Sequence, residues 1–306
     1  MLIDSIRLFL KITEKGSMVA AGREVGLSAS TVSERLAFLE AHYGVVLFNR
    51  TTRSLSLTDE GRTLLEGARA VLSEIDDLDT RIRHGAETLS GPIRVSAPVD
   101  LGRTVVTQAV TAFIEAHPSI SIELALSDGY VDLVGQGFDI ALRFGAVADS
   151  TLRARTLGEY RRIVCAAPSY LAEHGTPRTP ADLINHNCLV MRFGMTLDNI
   201  WRFGEGKKVL VVTVRGDKVV NDGWLIRQWA LEGRGIILKS ELDVADDLSS
   251  GRLVALLEDE APPPNPLQMV FPPGRAQPRR VRALAERLSA IMKERRQANG
   301  EVIRQS

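Results

Sequence analysis

The chain is poor in cysteine, carries no excess of either charge, and lacks any long uncharged apolar run. Each shortage excludes a class. Two cysteines in 306 residues do not make a disulfide-stapled miniature. No uncharged apolar stretch approaches the ~18 residues that a membrane span requires. Asp4, Arg7 and Lys11 interrupt the Leu- and Ile-rich start and no small-residue cleavage site follows, so no export signal is read there. A cytoplasmic chain with no membrane partner is expected. Thirty-eight basic residues against thirty-eight acidic ones give a formal charge of zero, which taken alone argues against a nucleic-acid partner.

Catalytic constellations are missing as well. His42, His84, His117, His174 and His186 show no metal-ligand spacing, and neither Cys-x-x-Cys nor Gly-x-Ser-x-Gly occurs. Gly204-Glu205-Gly206-Lys207-Lys208 resembles half a phosphate loop. It lacks the leading glycine and the Ser or Thr after lysine, and reads as a turn. No catalytic residue, metal or cofactor is expected, and an α/β enzyme stays a rival reading only.

What is present is an ordinary globular composition, 44% apolar and 25% charged, long enough for one large core or two moderate ones. Residues 1–58 read as short helices divided by glycines. Ile6, Phe9, Leu10 and Thr13 recur at helical spacing before Gly16 stops the helix. Ser17 is a plausible N-cap for a second helix that ends at Gly26. Ser28 caps a third, with Val32, Leu36 and Leu39 facing inward. Ala20, Ala21 and Gly22 allow the second helix close to the third, the pattern of a helix-turn-helix. Residues 45–58 then read as a small hairpin with a basic tip.

Thr58 can cap a long helix over 59–88 whose first turn holds Asp59 and Glu60, where the helix dipole favours acids. Leu64, Ala68, Val71, Ile75, Leu78 and Ile82 follow steps of four and three, a heptad seam that predicts a homodimer. The alternative is a single helix that covers its own domain. Residues 89–92, Leu89-Ser90-Gly91-Pro92, break the helix and read as a hinge. Beyond it, strand-like segments at 93–97, 120–126 and 138–144 alternate with helical ones at 105–117 and 130–135. That alternation predicts a largely parallel sheet with helices on both faces. It continues through 162–165, 188–191, 209–214, 223–232 and 236–239, then a proline-rich connector, a strand at 267–271 and a basic helix at about 277–296. The late strand most economically returns to the first half. The expected fold class is therefore α/β, with lobe I at about 93–162 and 267–297 and lobe II at about 163–266 within a second domain at 93–306.

These residues resemble a bacterial LysR-type transcriptional regulator over nearly the whole chain. The resemblance is carried by Gly16-Ser17-Met18-Val19-Ala20-Ala21, Leu27-Ser28-Ala29-Ser30-Thr31-Val32-Ser33, Leu39-Glu40, Gly44-Val45-Val46-Leu47-Phe48, Arg50-Thr51-Thr52-Arg53 and Leu57-Thr58-Asp59-Glu60-Gly61. Weaker echoes are Gly91-Pro92-Ile93-Arg94-Val95, Gly233-Arg234-Gly235-Ile236 and residues 248–254. It implies a winged helix-turn-helix at 1–58, a linker helix at 59–88 and a two-lobed effector domain of the periplasmic-binding-protein type. The implied partners are a double-stranded DNA operator, a small-molecule effector, and further copies of the chain as homodimer and homotetramer. RNA polymerase joins them if the protein activates.

On that resemblance residues 28–40 are the recognition helix and Arg50 to Arg53 the wing. The chemistry agrees: Ser28, Ser30, Thr31, Ser33, Glu34 and Arg35 crowd the exposed start of the helix, where hydroxyls suit phosphates or base edges and Arg35 could address guanine. Capping or solvation is the alternative for each hydroxyl. Arg50, Thr51, Thr52 and Arg53 form a cationic tip with no acid between Glu40 and Asp59. Glu34 departs from the family, in which a basic or amide residue is common there. It should read a cytosine amino group or pair with Arg35 or another base.

A ligand between two lobes sits at strand C-termini and helix N-termini. Those positions are Ser96, Val99, Asp100 and Leu101, then Arg143, Phe144 and Gly145, then Asn221, Asp222 and Trp224, with Phe193 and Met195 as an apolar wall. Arg143 favours an anion, or else makes an ordinary ion pair. Asp100 and Asp222 oppose an anion unless they cap helices, and an Asp100 that faces the cleft would suit a cation. Beside the enzyme two further rivals stand, a redox sensor using Cys165 and Cys188, with Arg161 and Arg162 near the first, and a solute-binding protein, which would leave the helix-turn-helix unexplained.

Divided along the chain, the zero charge changes meaning. Residues 1–90 hold 11 basic and 13 acidic side chains, 91–274 hold 18 and 22, and 275–306 hold 9 and 3. Placement of charge, wing against dimer helix, bears on DNA more than its sum. Non-specific affinity should be modest and strongly salt-sensitive.

Overall fold

Apolar side chains at helical spacing make α1 (Leu2–Lys15), and Gly16, at φ 62°, ends it in the left-handed conformation that glycine adopts without penalty. The computed structural model describes residues 1–50, 55–84, 88–129, 132–145, 152–204, 209–273 and 277–303. α2 (Met18–Glu24) starts at Ser17, whose side chain accepts from the Ala20 amide, and α3 (Ala29–Tyr43) starts at Ser28, which accepts from the Thr31 amide. A methyl group on Gly22 would lie 2.9 Å from both the Leu27 carbonyl oxygen and Val32, so the close approach of α2 to α3 requires glycine there. β1 (Phe48–Arg50) and β2 (Leu55–Leu57) pair antiparallel in the register Phe48 to Leu57. The Phe48 ring packs 5.3 Å from that of Phe9, which anchors the hairpin in the head's core.

α4 (Asp59–His84) is capped by Thr58, whose Oγ1 accepts from the Gly61 amide at 2.9 Å and donates to the Val46 carbonyl at 2.7 Å. Its buried stripe is Leu65, Ala68 and Leu72, packed on α1 and α3 residues. Arg7 of α1 holds Asp76 at 2.5 Å.

The first α/β lobe begins with β3 (Gly91–Ala97), then α5 (Val99–Leu101), which runs through a π turn (Gly102–Val106) into α6 (Thr107–Ala116). β4 (Ile120–Leu126), α7 (Leu133–Gln136), β5 (Ile140–Phe144) and β6 (Arg153–Tyr160) follow. The second lobe opens one residue later with β7 (Arg162–Ala166) and α8 (Pro168–His174). It goes on through β8 (Val190–Phe193), β9 (Thr196–Leu197), β10 (Ile200–Phe203), β11 (Leu210–Thr213) and β12 (Val219–Val220). α9 (Gly223–Leu231), β13 (Ile237–Ser240), α10 (Glu241–Ser249) and β14 (Val254–Leu256) complete it. β15 (Asn265–Phe271) and α11 (Arg279–Ile303) return to the first lobe.

The five-stranded sheet has the order β4-β3-β5-β15-β6. Its core joins Ile93, Val95, Ile140 and Met269 to Val281, Leu284 and Leu288 of α11. Within that sheet β4, β3 and β5 are parallel and β15 runs antiparallel to both β5 and β6; in the second lobe β12 pairs parallel with β8, and β7 runs antiparallel to β13 and β14. The expectation of a largely parallel sheet therefore needs correction. β6 passes into β7 through Arg161 alone, with no crossover helix, and a parallel neighbour needs such a crossover. Strand β13, helix α10 and strand β14 do form one, straddling β7.

The hinge expected at 89–92 is also tied down. Leu89 is buried in the first lobe's core, Gly91 and Pro92 lie in β3 opposite Ile120 and Ser121, and Arg280 Nε donates to the Pro92 carbonyl at 2.9 Å. Among the described residues no helix is long and apolar enough to cross a membrane, and no group of three or more His, Cys, Asp or Glu could hold a metal ion.

Candidate functional site

The N-terminal site is the start of α3. Ser28, Ser30, Ser33 and Glu34 are exposed, and Thr31 and Arg35, which flank the buried face of Val32, Leu36 and Leu39, are half-buried. Ser28 Oγ lies 2.8 Å from Ser30 Oγ and 2.9 Å from Thr31 Oγ1, so its hydroxyl is engaged in the cap and its two neighbours are held beside it. Glu34 makes no ion pair with Arg35 among the described residues. Arg50 ends β1; Thr51, Thr52 and Arg53 lie outside the described residues.

What sets α3 against the wing is a clamp that the reading of the sequence missed. Glu40 Oε1 accepts from the Leu47 amide at 2.9 Å, and Thr58 fixes the other end of the hairpin. A methyl on Gly61 would lie 2.2 Å from the Leu47 carbonyl oxygen, so α4 can start against the hairpin only with glycine there. The signal was available in the motifs Leu39-Glu40 and Leu57-Thr58-Asp59-Glu60-Gly61, without their geometry.

The heptad positions of α4 divide. Ala68 is buried in the head's own core and Leu64 and Ile75 pack partly against it, whereas Val71, Leu78 and Ile82 are exposed by 53%, 52% and 73%. Ala68 thus serves the domain, as the alternative reading had it, and the outward stripe of the expected seam is Val71, Leu78 and Ile82.

Between the α/β lobes lies a cavity of about 440 Å³. Asp100, Arg143, Phe144, Gly145 and Phe193 line it, as expected, with Pro98, Asp128, Leu133, Arg162, Met191, Asp198, Leu238, Lys239 and Asp243. The other expected contacts do different work. Ser96 lies buried behind Arg143 and accepts from its Nη2 at 2.6 Å. Val99 and Leu101 are buried in the first lobe. Asp222 caps α9 by accepting from the Leu225 amide, and Asn221 is exposed outside the cavity lining. Trp224 receives the Arg103 guanidinium over its ring, 4.7 Å from the centroid, and so joins the lobes instead of lining the cleft. Met195 is 94% exposed and forms no wall.

Asp100 does not present a free charge. Lys239 reaches across the lobes to Asp100 at 2.6 Å and holds Asp243 at 2.9 Å, with the three side chains 10%, 5% and 8% exposed in that order. The two carboxylates hold the Lys239 ammonium above the usual lysine range against the opposing effect of burial, while burial raises Asp243. Asp128 accepts from Val99 N at 3.0 Å and from Gly223 N at 2.6 Å, a second tie between lobes. Lys239, Asp128 and Asp243 were not anticipated. Lys239 sits inside an apolar strand, where its position gives no hint of carboxylates facing it from another lobe.

Both thiols are buried in separate apolar clusters, and burial pushes Cys165 and Cys188 up to about 12. Arg161 and Arg162 are engaged elsewhere, with Glu241 at 3.1 Å and Asp198 at 2.6 Å. A redox sensor needs an accessible thiolate, so this rival is not favoured.

Two family descriptions match the chain: a bacterial regulatory helix-turn-helix protein of the lysR family over residues 3–62, and a LysR substrate binding domain over 86–293. The chain is 32% identical to the HTH-type transcriptional regulator DmlR of Escherichia coli K12 over 264 residues, 86% of each chain. It is 33% identical to the HTH-type transcriptional regulator PtxR of Pseudomonas aeruginosa PAO1 over 291 residues, 94% of this chain and 91% of that one. Among solved structures, CrgA, a LysR-type regulator from Neisseria meningitidis, matches with a TM-score of 0.61 and 31% identity over 95% of this chain and 98% of its own. The full-length Vibrio cholerae virulence activator AphB matches at 0.59 and 28%, covering 94% and 98%. These relatives are regulators and not enzymes. With its helix-turn-helix, its long α4 and its two-lobed effector domain, the chain belongs to the LysR family of DNA-binding transcriptional regulators.

Proposed function

We propose that this regulator reads its operator as a homodimer, with Ser30, Thr31, Ser33, Glu34 and Arg35 of each α3 in a major groove and Arg50 and Arg53 of each wing at the backbone. The heads pair along Val71, Leu78 and Ile82 of α4, and dimers associate into tetramers. The protein acts in the cytoplasm, and where it activates, it contacts RNA polymerase. Its effector occupies the cleft lined by Arg143, Phe144 and Phe193.

One observation carries the link between the two halves. Leu133 of α7 lines the cleft, and the next residue, Val134, accepts a hydrogen bond from Arg69 of α4. A ligand that favours one arrangement of the lobes therefore biases α7 and, through Arg69, the helix that carries the heads. Coupling of ~1–3 kcal/mol is typical of such switches. Genomic footprinting of the purified protein tests the reading: bound sites should be two-fold symmetric, and the genes beside them name effector candidates. A footprint that does not change with an effector shown to bind the cleft would refute the coupling.

A further inference from the structure

Seven ionisable residues line the cleft, and they are not equivalent. Arg162 and Asp198 neutralise each other at 2.6 Å. Lys239 is saturated by Asp100 and Asp243, and each Asp128 oxygen accepts a backbone amide. Arg143 differs. Its Nη1 donates to the Leu142 carbonyl at 2.5 Å and its Nη2 to Ser96 Oγ at 2.6 Å, and no carboxylate stands within ion-pair distance of it among the described residues. A guanidinium has five N–H donors in a flat fork, so a face suited to a carboxylate remains. Burial holds Arg143 down at about 10, opposed by the nearby Asp128, which marks a cation short of solvent and of a counter-charge.

We infer that the cleft takes a small amphipathic monoanion, one carboxylate on a mainly apolar body, with the carboxylate on Arg143 and the body against Phe144, Phe193, Met191 and Leu133. The inference rests on the cleft being the effector site. Of the cleft's carboxylates, Asp198 is paired with Arg162, Asp100 and Asp243 share Lys239, and Asp128 holds two backbone amides, so each is better supplied with donors than Arg143 is with acceptors. A second carboxylate on the ligand finds no free cation and would lie beside those same acids. The apolar walls and the cavity's volume suit a body without further charge.

Calorimetry on the full-length protein with benzoate, cyclohexanecarboxylate and hexanoate tests this, against benzyl alcohol, benzylamine and phthalate as neutral, cationic and dianionic counterparts. At least one monocarboxylate should bind tenfold or more tightly than its counterparts, and Arg143→Gln should weaken it tenfold or more. Arg143→Lys, which keeps the charge without the fork, should lie between the two. Equal or tighter binding of the amine, alcohol or phthalate overturns the inference, as does monocarboxylate binding unchanged by Arg143→Gln or a panel in which nothing binds. Met191→Trp, which fills the cleft, separates the two levels. Counterpart binding abolished by Met191→Trp keeps the cleft as the effector site and discards the monoanion, whereas carboxylate binding indifferent to it discards the cleft.

Discussion

Arg69 and Leu133 stand on either side of one short helix: Leu133 faces the cleft, and Arg69 reaches the carbonyl of the next residue from α4. Burial, with Arg94 nearby, holds the Arg69 guanidinium below its usual range. Gly137, at φ 73°, ends α7 so close to it that a methyl there would lie 2.7 Å from the guanidinium carbon. Arg69→Ala should therefore loosen α7, raising hydrogen exchange of the Gly135 to Gly137 amides at least tenfold, with the rest of the first lobe's sheet unchanged. Unchanged exchange in that segment would show that the contact bears no load.

Glu34 and Arg53 should fail differently on DNA. Glu34→Ala is expected to shift preference at one base pair by about 1–3 kcal/mol. Arg53→Ala should weaken matched and scrambled sites alike and reduce the salt slope by about 0.9 per lost phosphate contact. Equal losses on both DNAs for Glu34→Ala would remove its base-reading role.

The two faces of α4 make separable variants. Leu78→Asp should halve the mass measured by light scattering while the head keeps its melting transition. Leu72→Ala, cut from the head's core, should cost about 2–5 kcal/mol of that transition. A dimer that survives Leu78→Asp would place the seam elsewhere.

Lys239→Met would leave Asp100 and Asp243 together without a counter-charge. Removing one member of a buried pair costs about 3–5 kcal/mol, so urea unfolding of the effector half should show a loss of that order. A loss below about 1 kcal/mol would mean that water reaches the cluster.

Because the Cys165 and Cys188 thiols are pushed up to about 12, neither forms a thiolate near neutral pH. At pH 8 a disulfide reagent should titrate none in the native protein and both after unfolding in guanidinium. A fast-reacting thiol in the native protein would reopen redox sensing.

Local signals in the sequence carried far where one element decides the matter. Ser17, Ser28 and Thr58 announce their helices because an N-cap is a contact within four residues. β6 gave no such signal: Arg153, Ala154, Arg155 and Thr156 are all exposed, so no apolar alternation marks them. Within the cleft, Arg143 and Phe144 were readable as strand-end residues, but the pairing of Asp100 with Lys239 joins residues 139 apart in sequence. Nothing local encodes it, and the charge of the cleft depends on it. Trp224 misled for the same reason, since its partner Arg103 sits on the facing lobe.

The division of labour on α4 bears on how the regulator is made. Leu65 and Leu72 finish the head within a single chain, and Val71, Leu78 and Ile82 are not spent in doing so. A nascent chain can hold a completed reading head before it meets a second copy. Where pairing follows the outward stripe, subunits can exchange between pairs without unfolding, and occupancy of two-fold operators varies with the number of copies in the cell.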